Sequence, residues 1–278
     1  MTFVKGHGTE NDFVILPDPD GDLNLTPAVV AAMCDRRAGI GADGVLRVVL
    51  TAATPDVAHL AGEARWFMDY RNGDGSVAEM CGNGVRVYAR YLVDSGYARP
   101  GRLRLATRSG VRTVDVPAEG DVTVGMGPAR VSEPGAVTVQ VGERSWPGTH
   151  VEIGNPHVVV IVDSLADAGP LDEPPTVTPA SAVPDGANVE FVVLQGPSSI
   201  AMRVHERGAG ETRSCGTGAC AAMVAVSRAR GDAPGSSYRV DVPGGILQVT
   251  DGPDEMLLSG PAVLVAYGEI RADWLAGK

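Results

Sequence analysis

One short motif occurs twice, and it limits the possible folds more than any other feature. Glu79-Met-Cys81-Gly-Asn-Gly84 and Arg213-Ser-Cys215-Gly-Thr-Gly218 each open a stretch of helical spacing. Each follows a glycine-rich turn, Asn72-Gly-Asp-Gly75 in one case and Arg207-Gly-Ala-Gly210 in the other. At a similar offset, Gly41-Ala-Asp43 pairs with Gly186-Ala-Asn188, and the Gly8–Asn11 turn pairs with Gly154-Asn155. Self-similarity of this kind marks a duplicated unit. The expected fold is α+β, with two pseudo-symmetric halves. Each half is a curved, mostly antiparallel β-sheet or barrel wrapped around a central helix. The Pro/Gly-punctuated segment from Pro128 to Pro147 lies between the halves.

Local patterning supplies the parts. β-Branched runs bounded by Gly, Pro, Asn or Asp predict strands at Phe13–Leu16, Val45–Leu50, Val111–Val116, Val158–Val162, Val189–Leu194 and Ile200–Val204. Thr26 with Pro27 predicts a helix start, with the helix running to Arg37 and stopping at Gly39. Val85, Tyr88, Ala89 and Leu92 predict a helix over about Val85–Asp94, with Gly96 as the stop. The stretch from Ala219 to Arg230 is apolar on nearly every side, which predicts a buried helix enclosed by strands. The proline-rich stretch Ala168–Gly186 reads as a surface loop.

Composition removes several function classes. The net charge is −11, so a polyanionic partner is disfavoured, whether nucleic acid or an anionic membrane surface. No window is apolar enough to span a bilayer. The charged N-terminal stretch, with Lys5, His7, Glu10 and Asp12, does not read as a signal peptide. Four cysteines without such a signal point to free thiols in a reducing cytosol. Only two lysines occur, Lys5 and Lys278, both in terminal contexts. A lysine-bound cofactor has almost nowhere to attach.

Cys81 and Cys215 carry the chemistry. A thiol directly before a helix start lies beside unsatisfied backbone N–H groups, a ready site for a carboxylate. The helix dipole there favours thiolate, so a lowered thiol pKa is expected. Pseudo-symmetry would set one sulfur on each side of a small carboxylate ligand, the geometry for inverting a carbon centre by moving a proton. Cys34 and Cys220, inside helices, read as inert core thiols. No Cys-x-x-Cys occurs, so no metal site is expected. Gly73-x-Gly75-x-x-Ala78 matches a dinucleotide fingerprint only loosely. Glu206 and Arg207 are candidates for a ligand ammonium and carboxylate. Asn11, Asn72, Asn155 and Asn188 are turn residues with a possible ligand role. His157 fits a structural or an active-site role equally well.

Together these stretches resemble the diaminopimelate epimerases, over essentially the whole chain. The resemblance rests on His7-Gly-Thr-Glu-Asn-Asp-Phe13, Asn72-Gly-Asp-Gly-Ser76, Cys81-Gly-Asn-Gly84, Gly154-Asn-Pro-His157, Gly186-Ala-Asn188, Glu206-Arg-Gly-Ala-Gly-Glu-Thr212 and Cys215-Gly-Thr-Gly-Ala-Cys220. It implies a cofactor-independent isomerase acting on a diamino dicarboxylate in lysine and peptidoglycan precursor biosynthesis. It further implies a cytoplasmic location and pairing as a homodimer. The implied halves are 1–124, with a returning C-terminal segment 265–278, and 125–264.

Cys81 and Cys215 would be the acid/base pair, with His157 supporting the thiols. Backbone amides of Gly82, Asn83, Gly216 and Thr217 would hold the reacting carboxylate. Asn72, Asn155, Asn188 and Arg207 would recognise the distal end, and Glu206 with Asn11 the ammonium groups. Two positions depart from the family pattern: Gly44 stands where Gln is common, and Gly8-Thr-Glu-Asn11 where Gly-Leu-Gly-Asn is common. The competing readings are a proline or hydroxyproline racemase of the same architecture, a non-catalytic amino acid binding module, and a thiol redox protein.

Overall fold

Strands dominate the computed structural model, which describes residues 1–275. Lys278 lies outside the described residues, as does the end of the expected returning segment. The chain divides into two units, Met1–Val124 with the segment from Pro261 onward, and Gly125–Gly260.

The first unit is built from β1 (Thr2–Gly8), β2 (Asn11–Pro17), α1 (Pro27–Cys34), β3 (Gly44–Leu50), β4 (Trp66–Asn72), α2 (Gly82–Asp94), β5 (Gly101–Thr107), β6 (Gly110–Val116) and the first half of β7 (Val122–Gly127), whose second half falls in the other unit. Its ladder runs β1–β2 antiparallel, β2–β3 parallel, β3–β4 antiparallel, β4–β5 parallel, then β5–β6–β7 antiparallel. The late strand Val263–Glu269 pairs antiparallel with β1. Helix α2 packs against β1, β2, β3, β4, β6 and that late strand.

The second unit contains β8 (Arg130–Val131), β9 (Val137–Val141), β10 (Arg144–Glu152), β11 (Pro156–Ile161), β12 (Thr176–Thr178), β13 (Asn188–Gly196), β14 (Ser199–Glu206), β15 (Gly210–Thr212), α3 (Gly216–Arg230), β16 (Ser237–Val242), β17 (Gly245–Asp251) and β18 (Met256–Gly260). The order of pairing repeats: β10–β11 antiparallel, β11–β13 parallel, β13–β14 antiparallel, β14–β16 parallel, then β16–β17–β18 antiparallel. Helix α3 packs against β10, β11, β13, β14, β16, β17 and β18. The fold is therefore α+β with a duplicated ladder, each copy folded around one helix.

Three local expectations are corrected. Helix α1 ends at Cys34, not Arg37. The Asp35 carboxylate accepts from the backbone N–H groups of Arg37 and Ala38, both at 2.7 Å, and this turn replaces further helical bonds. Helices α2 and α3 begin three residues earlier than predicted, at Gly82 and Gly216. Glycine is tolerated in a first turn because those N–H groups have no intrahelical acceptor to lose. The Ala168–Gly186 segment is not purely a surface loop. It contributes β12, pairs with β9, and buries Ala168, Leu171 and Val183 against Val139, Val160 and Phe191.

Helix α2 carries buried charge that its spacing did not announce. Arg86 and Arg90 are buried beside Tyr88. Arg90 donates to the carbonyls of Pro117 (2.8 Å), Ala118 (3.2 Å) and Gly120 (2.9 Å), so its charge is solvated by backbone dipoles.

Candidate active site

Each motif cysteine is the N-cap of its helix. Cys81 and Cys215 have extended backbones (φ −139° and −117°). Their sulfurs accept from the N–H of Gly84 and of Gly218, each at 3.4 Å. Sulfur here does what a serine oxygen does at an ordinary N-cap. Gly82 and Asn83, and Gly216 and Thr217, fall in the first turns, where the N–H groups point out of the helix end. The dinucleotide reading fails here, because no helix follows Gly73–Gly75; that stretch is a turn leading to the Cys81 cap.

In the first unit, the Cys81 thiol and the Asn83 amide both donate to Asn11 Oδ1, at 3.5 and 3.3 Å. Asn11 is held in turn by Asp43 at 2.8 Å, and Arg36 bridges Asp43 (2.7 Å) and Asp12 (2.8 Å). Arg36 and Lys5 hold the Asp12 carboxyl down to about 2, against the opposing effect of its burial. Lys5 is fully engaged by Asp12 and the Gly41 carbonyl. Arg108 reaches Asp69 (2.6 Å) and the carbonyls of Tyr70 (3.2 Å) and Ala78 (3.4 Å), which anchors the loop before Cys81. Asn72 bonds within its own turn, to Ser76 at 3.0 Å.

Asn11 is reached across a two-residue hairpin whose central residues, Thr9 and Glu10, have φ +50° and +61°. Turns of that hand favour Asn and Gly, so Thr9 is strained. Its hydroxyl meets buried Arg86 at 3.4 Å. At the second departure from the family pattern, Gly44, a Cβ would lie 2.5 Å from the Arg71 carbonyl and 2.8 Å from the Tyr70 ring. Tyr70 thus occupies the room that a side chain at position 44 would need.

In the second unit, the surroundings of the thiol are acidic and dry. Cys215 is buried, with the Thr217 hydroxyl 3.5 Å from its sulfur. Glu206 accepts hydrogen bonds from Thr212 and from the Cys215 thiol. Burial raises the Glu206 carboxyl above its ordinary range, more than those hydrogen bonds lower it. The expected lowering of the thiol is overturned at Cys215. Burial, and then the carboxylates of Glu206 and Glu190, push it well above its ordinary value. The Thr217 hydroxyl and the Gly218 N–H act the other way but are outweighed.

His157 is wholly buried, 2.6 Å from Glu190 through Nδ1 and 2.9 Å from Asn155 through Nε2. Asn188 accepts from the backbone N–H of Arg207 at 2.9 Å, and the Arg207 guanidinium donates to the Asp185 carbonyl at 3.0 Å. Glu190 escaped the sequence reading. The available signal was one carboxylate inside the apolar run Val189-Glu-Phe-Val-Val193. Cys220 is buried along α3, and Cys34 is raised to about 11 by burial. Among the described residues, no cluster of three or more His, Cys, Asp or Glu has the arrangement of a metal site. No described helix is long and apolar enough to cross a membrane.

Comparison with known proteins bears on what these two helix starts serve. The profile of the family described as "Diaminopimelate epimerase" matches residues 3–132 and 149–265. The diaminopimelate epimerase of Streptomyces coelicolor is 60% identical, with 100% of this chain and 98% of the relative covered. That of Thermobifida fusca is 50% identical, with 98% of each covered. Among solved structures, a Bacillus anthracis phenazine biosynthesis protein of the PhzF family superposes with TM-score 0.72 at 15% identity, covering 98% of this chain and 99% of that one. A hydroxyproline epimerase from Agrobacterium vitis does so with TM-score 0.69 at 17% identity, covering 98% and 93%. At such low identities these two establish the fold alone. The matched stretches contain both capping thiols and the polar groups around each, and on that ground the chain belongs to the diaminopimelate epimerase family, a family of isomerases.

Proposed function

We propose that this isomerase interconverts LL- and meso-2,6-diaminopimelate without a cofactor, by a two-base thiol mechanism. One sulfur, as thiolate, takes the α-proton from one face of the carbon. The other, as thiol, delivers its own proton to the opposite face, so the two sulfurs exchange protonation states in each turnover. The observation that carries the reading is the pair of cysteine N-caps on the buried helices of twin ladders. The N–H groups of Gly82, Asn83, Gly216 and Thr217 bind the reacting carboxylate and stabilise charge that moves onto it. Glu206 holds the Cys215 proton and, with Asn11, meets ammonium groups. Asn72, Asn155, Asn188 and Arg207 bind the distal amino acid end.

The reaction belongs to lysine and peptidoglycan precursor biosynthesis in the cytoplasm. Pairing as a homodimer is supported by Val263, Val265 and Tyr267, alternate residues that leave an apolar stripe exposed along one strand.

Incubation in deuterated buffer tests the substrate. Deuterium is expected at Cα of diaminopimelate and not of proline or 4-hydroxyproline. Label in proline alone would transfer the reading to a proline racemase. Binding of diaminopimelate with no label would make the protein a binding module.

A further inference from the structure

Buried beneath the start of α3 is a carboxylate that the proposed chemistry does not use. Glu190 and His157 are both fully buried, and Glu190 Oε1 lies 2.6 Å from His157 Nδ1. The second carboxylate oxygen, Oε2, has no hydrogen-bond partner. A Cβ built on Gly218 would stand 2.7 Å from Glu190 Oε1 and 3.3 Å from the Cys215 sulfur. Only a bare glycine separates this carboxylate from the thiol cap.

Such a pair is costly, since burying a half-satisfied carboxylate loses more than an apolar side chain would. The first unit demonstrates that the scaffold does not need it. The parallel ladder β2–β3 opens with Phe13 opposite Gly44, and β11–β13 opens with His157 opposite Asn188. Two residues further along, Leu46 occupies the place that Glu190 takes in the second unit. Leu46 and Phe13 lie under Gly84, next to Cys81, as a plain apolar floor.

We propose that Glu190 is a positioning residue of the isomerase reaction, acting through His157. With both ring nitrogens protonated, Nδ1–H donates to Glu190 and Nε2–H donates to Asn155 Oδ1, 2.9 Å away, which fixes the ring plane. The logic is that of a side chain oriented by a third group. The fixed ring in turn fixes Asn155, which would otherwise turn freely at the end of the Gly154–Asn155 turn, and it braces the floor beneath Cys215. This inference rests on the proposed function for its kinetic consequence but not for its geometry.

The test is a double-variant cycle of Glu190→Leu, Glu190→Gln and His157→Asn, each alone and combined. Glu190→Leu, which copies Leu46, is expected to keep the melting temperature of the wild type or raise it. Its kcat/KM for diaminopimelate should fall roughly 100-fold. Glu190→Gln, which keeps an acceptor oxygen, is expected to restore part of that loss. In the His157→Asn background, either Glu190 change should cost less than about threefold more, because the two residues act as one unit. A solvent-protected ring N–H proton resonance, lost in Glu190→Leu and in His157→Asn alike, checks the geometry without any turnover.

Activity of Glu190→Leu within about threefold of wild type overturns the inference, as do additive losses in the double variants. If Glu190→Leu fails to fold, the Glu190→Gln cycle decides by the same criteria. A wild-type protein inert toward diaminopimelate defeats the proposed function. The ring N–H resonance then decides the positioning role separately, and its persistence in Glu190→Leu overturns that role.

Discussion

The Cys81 end of α2 and the Cys215 end of α3 share a frame and differ in filling. Both thiols cap a buried helix, both accept from the third N–H beyond them at 3.4 Å, and both helices sit in ladders of the same pairing order. Under Cys81 the floor is Phe13 and Leu46, and the polar partners, Asn11, Asp43 and Arg36, stand at the exposed rim. Under Cys215 the floor is His157 and Glu190, and Glu206 lies against the sulfur. Cys81 is half-buried and Cys215 is buried. The difference teaches that duplication supplies the position of a thiol, while side chains on neighbouring strands decide its ionisation. A helix N-terminus alone does not yield a thiolate; desolvation and two nearby carboxylates outweigh it at Cys215.

Exchanging each thiol for Ala is the harshest way to break the comparison. Cys81→Ala and Cys215→Ala are each expected to reduce epimerisation by roughly 10²–10⁴-fold or more, with substrate affinity changed only modestly. Steady-state kinetics with a binding isotherm checks this. Equal affinity and full activity in either variant would end the two-thiol mechanism.

The floors can be compared through the glycines above them. An added Cβ at Gly218 meets Glu190 Oε1 at 2.7 Å, whereas at Gly84 the nearest atom is Leu46 Cδ2 at 3.3 Å. Gly218→Ala is therefore expected to destabilise by about 1–3 kcal/mol. Gly84→Ala should lie within about 1 kcal/mol of neutral, since alanine's helix preference offsets a small adjustment. Denaturant melts of the two variants measure the contrast, and equal costs would erase it.

The smallest effect sharpens the electrostatic half of the comparison. Cys215 alkylation, followed peptide by peptide, is expected to rise only above the ordinary thiol value of ~8.5. Glu206→Gln should move that rise to lower pH, because one repelling carboxylate is gone. The stability linked to Cys215 follows the same sign. It is fully present below the unfolded value and declines as pH rises past it, because the unfolded chain gives up this proton first. No movement in Glu206→Gln would show that Glu206 has no part in holding the thiol neutral, leaving burial and Glu190.

Much of this was legible in the residue order, and the reasons are local. A cysteine before Gly-x-Gly reads as a helix start because capping spans three residues, and β-branched runs read as strands because pleating has a period of two. Duplication is visible because both copies keep the same turns. The end of α1 was missed since Asp35 competes for N–H groups that spacing alone assigns to the helix. Nothing in the spacing of α2 marks Arg86 and Arg90 as buried; the strands wrapped around the helix bury both, and the carbonyls beyond Val116 receive Arg90.

By itself, then, the sequence determined that two thiol-capped helices exist, that each sits in a similar half, and which polar residues flank them. The tertiary structure alone decided which floor lies beneath each sulfur. His157 meets Glu190 because β11 runs parallel to β13, which brings together residues far apart in the chain. Register between strands depends on long-range pairing, so a carboxylate in an apolar run acquires its imidazole partner, and Cys215 its high pKa, only once the sheet has formed.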